Sequence, residues 1–263
     1  MYLDFIADYG ESTGHEDLAF SEVCRHLAEE FSARGLPMPF AKCLSVRPFN
    51  TIETGFVVAQ LAVNSKLGAN HIVYHNTAPR KDVLQARVKN AGEFLAVAEL
   101  PNGVRVIGVF SGYTFSFIKD LAPIHRVACA ADGSQFRSRD VFPPCVASLA
   151  GHAGKPLSSW ELLGDKVADT AAVPDNVILS IDGYGNIKTN LRNTAGTRTA
   201  TINGATQSVA PGEGIFSVQD GQLVIAPGSS GWLGQACVEI SLRGGSAAAL
   251  FNNPAPGDKI TLA

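Results

Sequence analysis

Two patterns of apolar and polar positions divide the chain into a first and a second part. In the first part, short apolar runs alternate with stretches in which apolar residues recur every three or four positions. Runs of the first kind predict strands, and stretches of the second kind predict amphipathic helices. The predicted elements are strands over 3–7, 71–75 and 104–110 and helices over 16–33 and 54–67. Strands that alternate with helices indicate a layered α/β domain.

The pattern changes after about residue 173. Short strand-like runs follow one another from there on, at 177–181, 198–202, 222–226, 237–242 and 259–262. Asp-Gly and Asn-Gly pairs, which favour tight turns, lie between or beside them. We therefore predict an α/β domain over 1–170 and a small, barrel-like all-β domain over 175–263, joined by an alanine-rich linker over 168–175.

Composition excludes several classes of partner. The 263 residues carry a formal net charge of -3, and 46% of them are hydrophobic, which suffices for a sizeable core. A slightly acidic protein has no long-range attraction for phosphate backbones, so we do not expect nucleic acid as a partner. No apolar stretch is long and uncharged enough to span a bilayer, and the first residues lack the basic start of a signal peptide. We therefore expect no membrane partner.

Neither the cysteines nor the histidines indicate a metal site. The five cysteines include no C-x-x-C pair, which fits reduced thiols in a cytoplasmic protein. His71 and His75 have the spacing of a zinc pair on a helix, but they flank the apolar run Ile-Val-Tyr. On a strand, residues four apart lie roughly 13 Å from each other, too far to share one ion. Nucleotide-binding glycine loops and a G-x-S-x-G elbow are also missing after the predicted strands.

Four segments resemble the S-adenosylmethionine hydroxide adenosyltransferase family, which also includes the fluorinase and the chlorinase. Residues 7–10 (ADYG) are similar to the family's opening T-D-F-G, and residues 136–150 resemble F-H-G-R-D-x-F-x-P followed by A-x-L-A. Residues 181–190 (IDGYGNIKTN) are close to I-D-x-F-G-N-x-x-T-N, the most specific of the four motifs, and residues 238–258 resemble the family's closing pattern. The order and spacing of the four segments match the family.

The resemblance implies an activity and an assembly. S-adenosylmethionine is then the substrate, attacked at the ribose C5′, and no separate cofactor is implied. The family's fold implies a homotrimer in which each active site lies between the α/β domain of one subunit and the β domain of the next.

Several substrate-binding roles follow from the resemblance. Asp8 is expected to bind the ribose hydroxyls, although a turn aspartate that satisfies its own backbone is the alternative. Asp182 is expected to pair with the methionine ammonium and Asn186 to bond the adenine or the amino acid, with an ordinary hairpin as the alternative. Tyr184 replaces the family's Phe and is expected to stack on a ring, unless it is a core aromatic.

Two weaker matches complete the expected binding residues. Ser230 lies where the family has a serine that holds the methionine carboxylate, but residues 228–231 also read as a flexible loop. Tyr113 and Thr114 lie in a segment that stands where the family usually has D-P-G-V-G, and we include them among the substrate-binding candidates.

The positions that activate the nucleophile depart from the family. Hydroxide-forming members use an Asp, an Arg and a His to position and deprotonate water, and the matching positions here hold Val73, Leu84 and Arg137. Ser138 stands where those enzymes and the chlorinase have Gly and the fluorinase has Ser, and Arg137 beside it favours an anion. The catalytic candidates are therefore Ser138 and Arg137, with a surface turn as the alternative for 136–140. His75, near the aligned Val73, is the third candidate, and Asp82 or Arg87 could take its place.

Three functions remain open at this point. Attack by water would yield adenosine and methionine, and attack by a halide or another anion would yield a different 5′ product. A protein that binds adenosine or S-adenosylmethionine without turnover is the third possibility.

Overall fold

The computed structural model describes residues 1–10, 18–79, 92–130, 134–192, 194 and 196–263. These residues form two compact units, Met1–Ala172 and Val173–Ala263. The division falls inside the segment 168–175. The predicted fold class is confirmed: an α/β unit precedes a unit built almost wholly from strands.

The N-terminal unit is built on a seven-stranded mixed sheet with strand order β2-β1-β3-β5-β4-β6-β7. Its strands are β1 (Tyr2–Ala7), β2 (Phe40–Ser45), β3 (His71–Asn76), β4 (Leu95–Glu99), β5 (Arg105–Val109), β6 (His125–Val127) and β7 (Leu163–Lys166). Its helices are α1 (Leu18–Ala33), α2 (Thr51–Asn64), α3 (Arg137–Asp140) and α4 (Phe142–Gly151).

Parallel pairing brings the ends of two strands together. Strands β2, β1, β3 and β5 are parallel neighbours, and the register pairs Ala7 of β1 with Asn76 of β3. Since parallel neighbours end at the same edge of a sheet, the residues that follow β1 lie beside the end of β3. Open α/β sheets generally bind their ligands at this edge.

The second predicted helix lies three residues earlier than expected. Helix α2 begins at Thr51 because Asn50 caps it: the Asn50 side-chain oxygen accepts a hydrogen bond from the amide of Glu53 at 2.9 Å. Of the helix interior, Phe56, Val58 and Ala59 are buried. No described helix is both long and apolar enough to cross a membrane.

The C-terminal unit consists of two sheets and one short helix. Its strands are β8 (Ile178–Ile181), β9 (Ile187–Thr189), β10 (Thr199–Ile202), β11 (Ala205–Ser208), β12 (Ala210–Pro211), β13 (Leu223–Trp232), β14 (Gln235–Leu242) and β15 (Ile260–Leu262), with α5 at Ala247–Leu250. They are ordered β11-β10-β15 in one sheet and β12-β13-β14-β9-β8 in the other. The predicted barrel-like closure stays a prediction.

Strand β13 is longer than the sequence predicts. It continues from the predicted 222–226 to Trp232, with a shift in the pairing with β14 between Pro227 and Gly231. Residues 228–231, for which a flexible loop was one alternative, therefore belong to a strand. An irregular register of this kind generally bends a strand.

Candidate functional site

Three polar side chains meet at the edge where β1 and β3 end. The phenol of Tyr9 donates a hydrogen bond to the Ser138 hydroxyl oxygen at 2.5 Å, and the side-chain amide of Asn76 donates to the Tyr9 oxygen. Ser138, in α3, is 5% exposed. An amide nitrogen can only donate, so Asn76 is the donor to Tyr9, and the Tyr9 phenol in turn donates to Ser138.

Aromatic packing holds Tyr9 in this position. Its ring meets the rings of Phe5, Phe20 and Phe136 edge to face, with centroid distances of 5.9, 5.2 and 6.0 Å. Such contacts add to the burial energy of each ring and restrict its orientation. The phenol is therefore aimed at Ser138 by residues of β1, α1 and the segment before α3.

The Arg137 side chain is held beside Ser138 by a backbone contact. Its guanidinium donates to the carbonyl of Glu93 at 2.8 Å and lies 5.0 Å from the ring centre of Phe142. The guanidinium of the residue that precedes Ser138 is thus held at Glu93 and Phe142, with part of its hydrogen-bonding capacity used. A surface turn does not describe Ser138, which is buried, although Arg137 and Arg139 beside it are partly exposed.

Ion pairs anchor helix α3. Arg139 bonds both carboxylate oxygens of Asp140 and reaches Glu22 of α1 at 3.3 Å. The hydrogen bonds from Arg139 and Ser134 hold the pKa of Asp140 well below its usual range. These contacts fix α3 against α1.

Hydroxyl groups brace the neighbouring strand ends. The hydroxyls of Thr54 and Thr77 are 2.8 Å apart, and Ser111 donates to the Thr77 carbonyl at 2.6 Å. Thr114, predicted to bind substrate, donates instead to the carbonyl of Val109 at 3.0 Å and is buried. This placement favours a structural role for Thr114. Tyr113 beside it is partly exposed.

His75, a catalytic candidate, lies inside the core. Its side chain is fully buried, its ring packs 4.9 Å from that of Phe115, and neither ring nitrogen has a hydrogen-bond partner among the described residues. Burial lowers the pKa of His75 from 6.5 to about 3, so the imidazole is neutral at physiological pH. A general base must be within reach of the attacking group. This placement favours a packing role.

Asp8 connects the end of β1 to the loop before α2. One of its carboxylate oxygens accepts a hydrogen bond from the amide of Phe49 at 2.9 Å. Phe49 has a φ of 62°, a left-handed conformation that this bond helps to hold. If Asp8 binds the ribose as expected, its carboxylate would hold both the ribose hydroxyls and the amide of Phe49.

Two further positions align with the residues that activate water in the hydroxide-forming members, and the structure describes one of them. Val73 is fully buried within β3, so it contributes no polar group. Leu84, Asp82 and Arg87 lie outside the described residues. A cavity of about 550 Å³ in the same unit is lined by residues 119–124 and 166–170, and none of the predicted site residues is among them.

In the C-terminal unit, Asp182 builds its own loop. One carboxylate oxygen accepts from the amides of Tyr184 and Asn186, each at 3.0 Å, and the other accepts from the Asn186 side chain at 3.1 Å. Burial raises the pKa of Asp182, but the bonds from Asn186 and the charge of Lys188 outweigh it, so the pKa lies below its usual value. The hydrogen bonds of Asp182 with Tyr184 and Asn186 therefore stabilise the turn itself.

The same loop displays an aromatic ring. Tyr184 is 83% exposed, so the core-aromatic alternative is wrong for it. Gly185 next to it has a φ of +82°, and a Cβ there would lie 2.0 Å from the Ser246 hydroxyl, which requires glycine at this position. Ser230, the expected carboxylate-binding serine, is partly exposed at the irregular part of β13.

Comparison with known proteins identifies this unit. Residues 176–261, which contain the Asp182 loop and Ser230, match the family model of the SAM hydroxide adenosyltransferase C-terminal domain. The match covers nearly all of the C-terminal unit. The resemblance stated from the sequence is thereby confirmed, and the loop at Asp182–Asn186 lies within the matched residues.

Solved structures extend the likeness to the whole chain. An uncharacterized conserved protein from Thermotoga maritima is similar with a TM-score of 0.71 and 15% identity, covering 99% of this chain and 100% of its own. A conserved hypothetical protein from Thermus thermophilus is similar with a TM-score of 0.67 and 18% identity, covering 100% and 99%. At these identities the likeness concerns the fold. None of the curated proteins matches the chain.

Sequence reasoning missed Tyr9 and Asn76 as site residues. Tyr9 occupies the position of the Phe in T-D-F-G. Its additional hydroxyl was the feature of the sequence that could have indicated a polar role. Asn76 follows the predicted strand 71–75 directly, at the edge where parallel strands end. Within the described ranges, no group of three His, Cys, Asp or Glu side chains could hold a metal ion.

Proposed function

We propose that the protein transfers the adenosyl group of S-adenosylmethionine to water. The water oxygen attacks the ribose C5′, the C5′–S bond breaks, and its electron pair leaves with the methionine sulfur. The products are adenosine and L-methionine, and one proton passes to solvent. The observation that carries this proposal is the match of residues 176–261 to the SAM hydroxide adenosyltransferase C-terminal domain.

The chemistry needs orientation more than acid catalysis. The sulfonium makes methionine a good neutral leaving group, so the protein must chiefly align the nucleophile with the C5′–S bond and hold the substrate. The chain Asn76–Tyr9–Ser138 supplies fixed polar groups at a sheet edge of the kind that binds ligands. The exposed ring of Tyr184 supplies a surface for stacking on adenine.

One observation favours an anion as the nucleophile instead. Since Tyr9 donates to Ser138, the proton of the Ser138 hydroxyl is directed to another acceptor. The preceding residue, Arg137, is a cation whose guanidinium is held at the carbonyl of Glu93. A donor beside a cation suits a halide or another anion better than a water molecule that must lose a proton.

A binding protein without turnover is the third function. The buried Val73, at the position of a family aspartate, and the inaccessible nitrogens of His75 support it, since neither offers a base. This function would retain the substrate-binding part of the proposal and remove the chemical step.

One experiment separates the three functions. The purified protein is incubated with S-adenosylmethionine in halide-free, chloride and fluoride buffers, and products are resolved by chromatography against a protein-free control that accounts for spontaneous decay. We expect adenosine and methionine in equal amounts in all three buffers. A 5′-halo nucleoside would establish the second function, and calorimetric binding without product the third. Absence of both binding and product would overturn the proposal.

We also propose that the protein is a homotrimer, as the resemblance implies. Light scattering coupled to size exclusion should give three times the 27.7 kDa chain mass. A stable monomer that binds S-adenosylmethionine with the same affinity at every protein concentration would overturn this assembly.

A further inference from the structure

Two cysteines of the N-terminal unit lie in sulfur-to-sulfur contact. Cys129 follows β6 and Cys145 lies in the first half of α4, and their sulfur atoms are 3.3 Å apart. Cys145 is buried, whereas Cys129 is partly exposed. A disulfide needs a sulfur separation of about 2.05 Å, so an approach of roughly 1 Å would join them.

The environment divides the two sulfurs into an attacking and a resolving thiol. Cys145 donates its S–H to the Cys129 sulfur, and this bond, helped by the charge of Arg137 and opposed by burial, lowers the pKa of Cys129. The same bond together with burial raises the pKa of Cys145. The more accessible sulfur is therefore also the one with the greater thiolate character, which is the pattern of a reactive cysteine.

We propose that Cys129 and Cys145 form a redox-active dithiol that reduces small hydroperoxides and closes reversibly to a disulfide. The Cys129 sulfur attacks the terminal oxygen of the hydroperoxide, the O–O bond breaks, and water or an alcohol leaves, so that Cys129 becomes a sulfenic acid. The Cys145 sulfur then attacks the Cys129 sulfur and the S–O bond breaks. The departing hydroxide takes the Cys145 proton and leaves as water.

The electrons balance within this sequence. The hydroperoxide gains two electrons, and the two thiols lose two electrons and two hydrogen atoms in forming the S–S bond. An external thiol such as dithiothreitol reverses the closure by exchange. Nothing in this cycle involves S-adenosylmethionine, so the inference stands independently of the proposed function.

A second close pair provides an internal comparison. The sulfur atoms of Cys24 and Cys43 are 3.5 Å apart, between α1 and β2. Cys237 lies in the C-terminal unit. The five cysteines fall on five different tryptic peptides, since arginine or lysine separates each from the next. Any linkage can therefore be assigned without ambiguity.

The test maps the oxidised protein. The full-length chain is treated with limiting hydrogen peroxide, remaining thiols are alkylated, and tryptic peptides are analysed by mass spectrometry. We expect the peptide ending at Arg137 to be joined to the peptide beginning at Asp140, with the intact mass lowered by two hydrogen atoms and restored by dithiothreitol. Linkage confined to Cys24 and Cys43, or full alkylation of Cys129 and Cys145, would overturn the proposal.

Serine variants test the assigned order of attack. In Cys145→Ser, we expect peroxide to leave a sulfenic acid on Cys129 that dimedone traps, because the resolving sulfur is missing. In Cys129→Ser, dimedone should not label Cys145. Cys237→Ser is the matched control and should form the same disulfide as the parent. Labelling of Cys145 in place of Cys129 would contradict the order, and the mapping on the parent chain stays decisive should a variant not fold.

Discussion

The phenol of Tyr9 donates a hydrogen bond at 2.5 Å to the hydroxyl of Ser138, 129 residues further along the chain. Both hydroxyls are departures from the family pattern, which has Phe in T-D-F-G and, in the hydroxide-forming members, Gly at the position of Ser138. A buried polar group generally needs a partner, and here each departure supplies the partner of the other. The two substitutions therefore form one structural unit.

Replacing Tyr9 by Phe should slow turnover more than it weakens substrate binding. The change removes the donor to Ser138 and the acceptor for Asn76 while keeping the ring contacts. If this unit orients the attacking group, kcat for adenosine formation should fall about tenfold with KM within about twofold. Tyr2→Phe, at the opposite end of β1, is the matched control.

The double variant Tyr9→Phe with Ser138→Gly sharpens this test. It restores the residues of the hydroxide-forming relatives and removes both polar partners together. The double variant should lose about 1 kcal/mol less stability than the sum of the losses in the two single variants. In each single variant one hydroxyl loses its partner, whereas in the double variant both hydroxyls are absent. Strict additivity would show that the two hydroxyls are not coupled.

Replacing Arg137 by His should identify the nucleophile. The change installs the family's imidazole and removes the fixed charge of the residue that precedes Ser138. With water as the nucleophile, adenosine formation should rise or stay the same; with an anion, the anion product should disappear. Products are measured by the chromatographic assay, and Arg126→His, whose guanidinium lies over the Phe94 ring, is the control. An unchanged anion product would exclude Arg137 from that role.

Replacing Gly108 by Ala should destabilise the N-terminal unit. A Cβ at this position in β5 would lie 2.4 Å from ring atoms of His75, closer than atoms can approach. Overpacking of this kind costs about 1–3 kcal/mol or more. Urea unfolding followed by the buried Trp160, with Trp232 replaced by Phe, measures the loss in this unit.

Two companion variants define the cause of that loss. Gly151→Ala, at the end of α4, places its Cβ 3.6 Å from Leu36, an ordinary contact, and should be neutral or slightly stabilising. In a His75→Ala background, Gly108→Ala should cost much less because the ring is gone. Equal costs in both backgrounds would show that the clash is not with His75.

Acid should destabilise the protein through His75. Its pKa is about 3 in the folded protein, below the ordinary 6.5, so unfolding takes up a proton between these values. The stability this group provides is fully present above pH 6.5 and is lost as the pH falls toward 3, by at most about 1.4 kcal/mol per pH unit. In His75→Leu, the pH dependence of the free energy of unfolding should be shallower in this range.

The control for that measurement is His26→Gln, which removes a partly exposed imidazole from α1. It accounts for the loss of a histidine as such. If the parent and His75→Leu curves run parallel between pH 6.5 and 3, His75 is not held neutral by burial.

The sequence by itself determined the layered first part, the strand-rich second part and the family resemblance of the C-terminal unit. Apolar periodicity predicted β1, β3 and α1. The buried residues of a helix or strand recur with a period that can be seen in the sequence of that element alone. Strand β2 was not predicted because it lies at the sheet edge and is mostly exposed, so its sequence has no clear apolar pattern. The start of α2 was misplaced because the Asn50 cap, and not the apolar repeat, sets it.

Only the tertiary structure decided what the polar residues do. The motif around Asp182 indicates a ligand-binding residue, yet its carboxylate oxygens accept hydrogen bonds from Tyr184 and Asn186 of the same loop. His75 reads as a candidate base, and burial makes it a neutral core residue. The contacts of Tyr9 with Ser138 and of Cys129 with Cys145 depend on which strands and helices become neighbours. Residue spacing records the geometry within an element, whereas the order of strands in a sheet arises from packing over the whole domain.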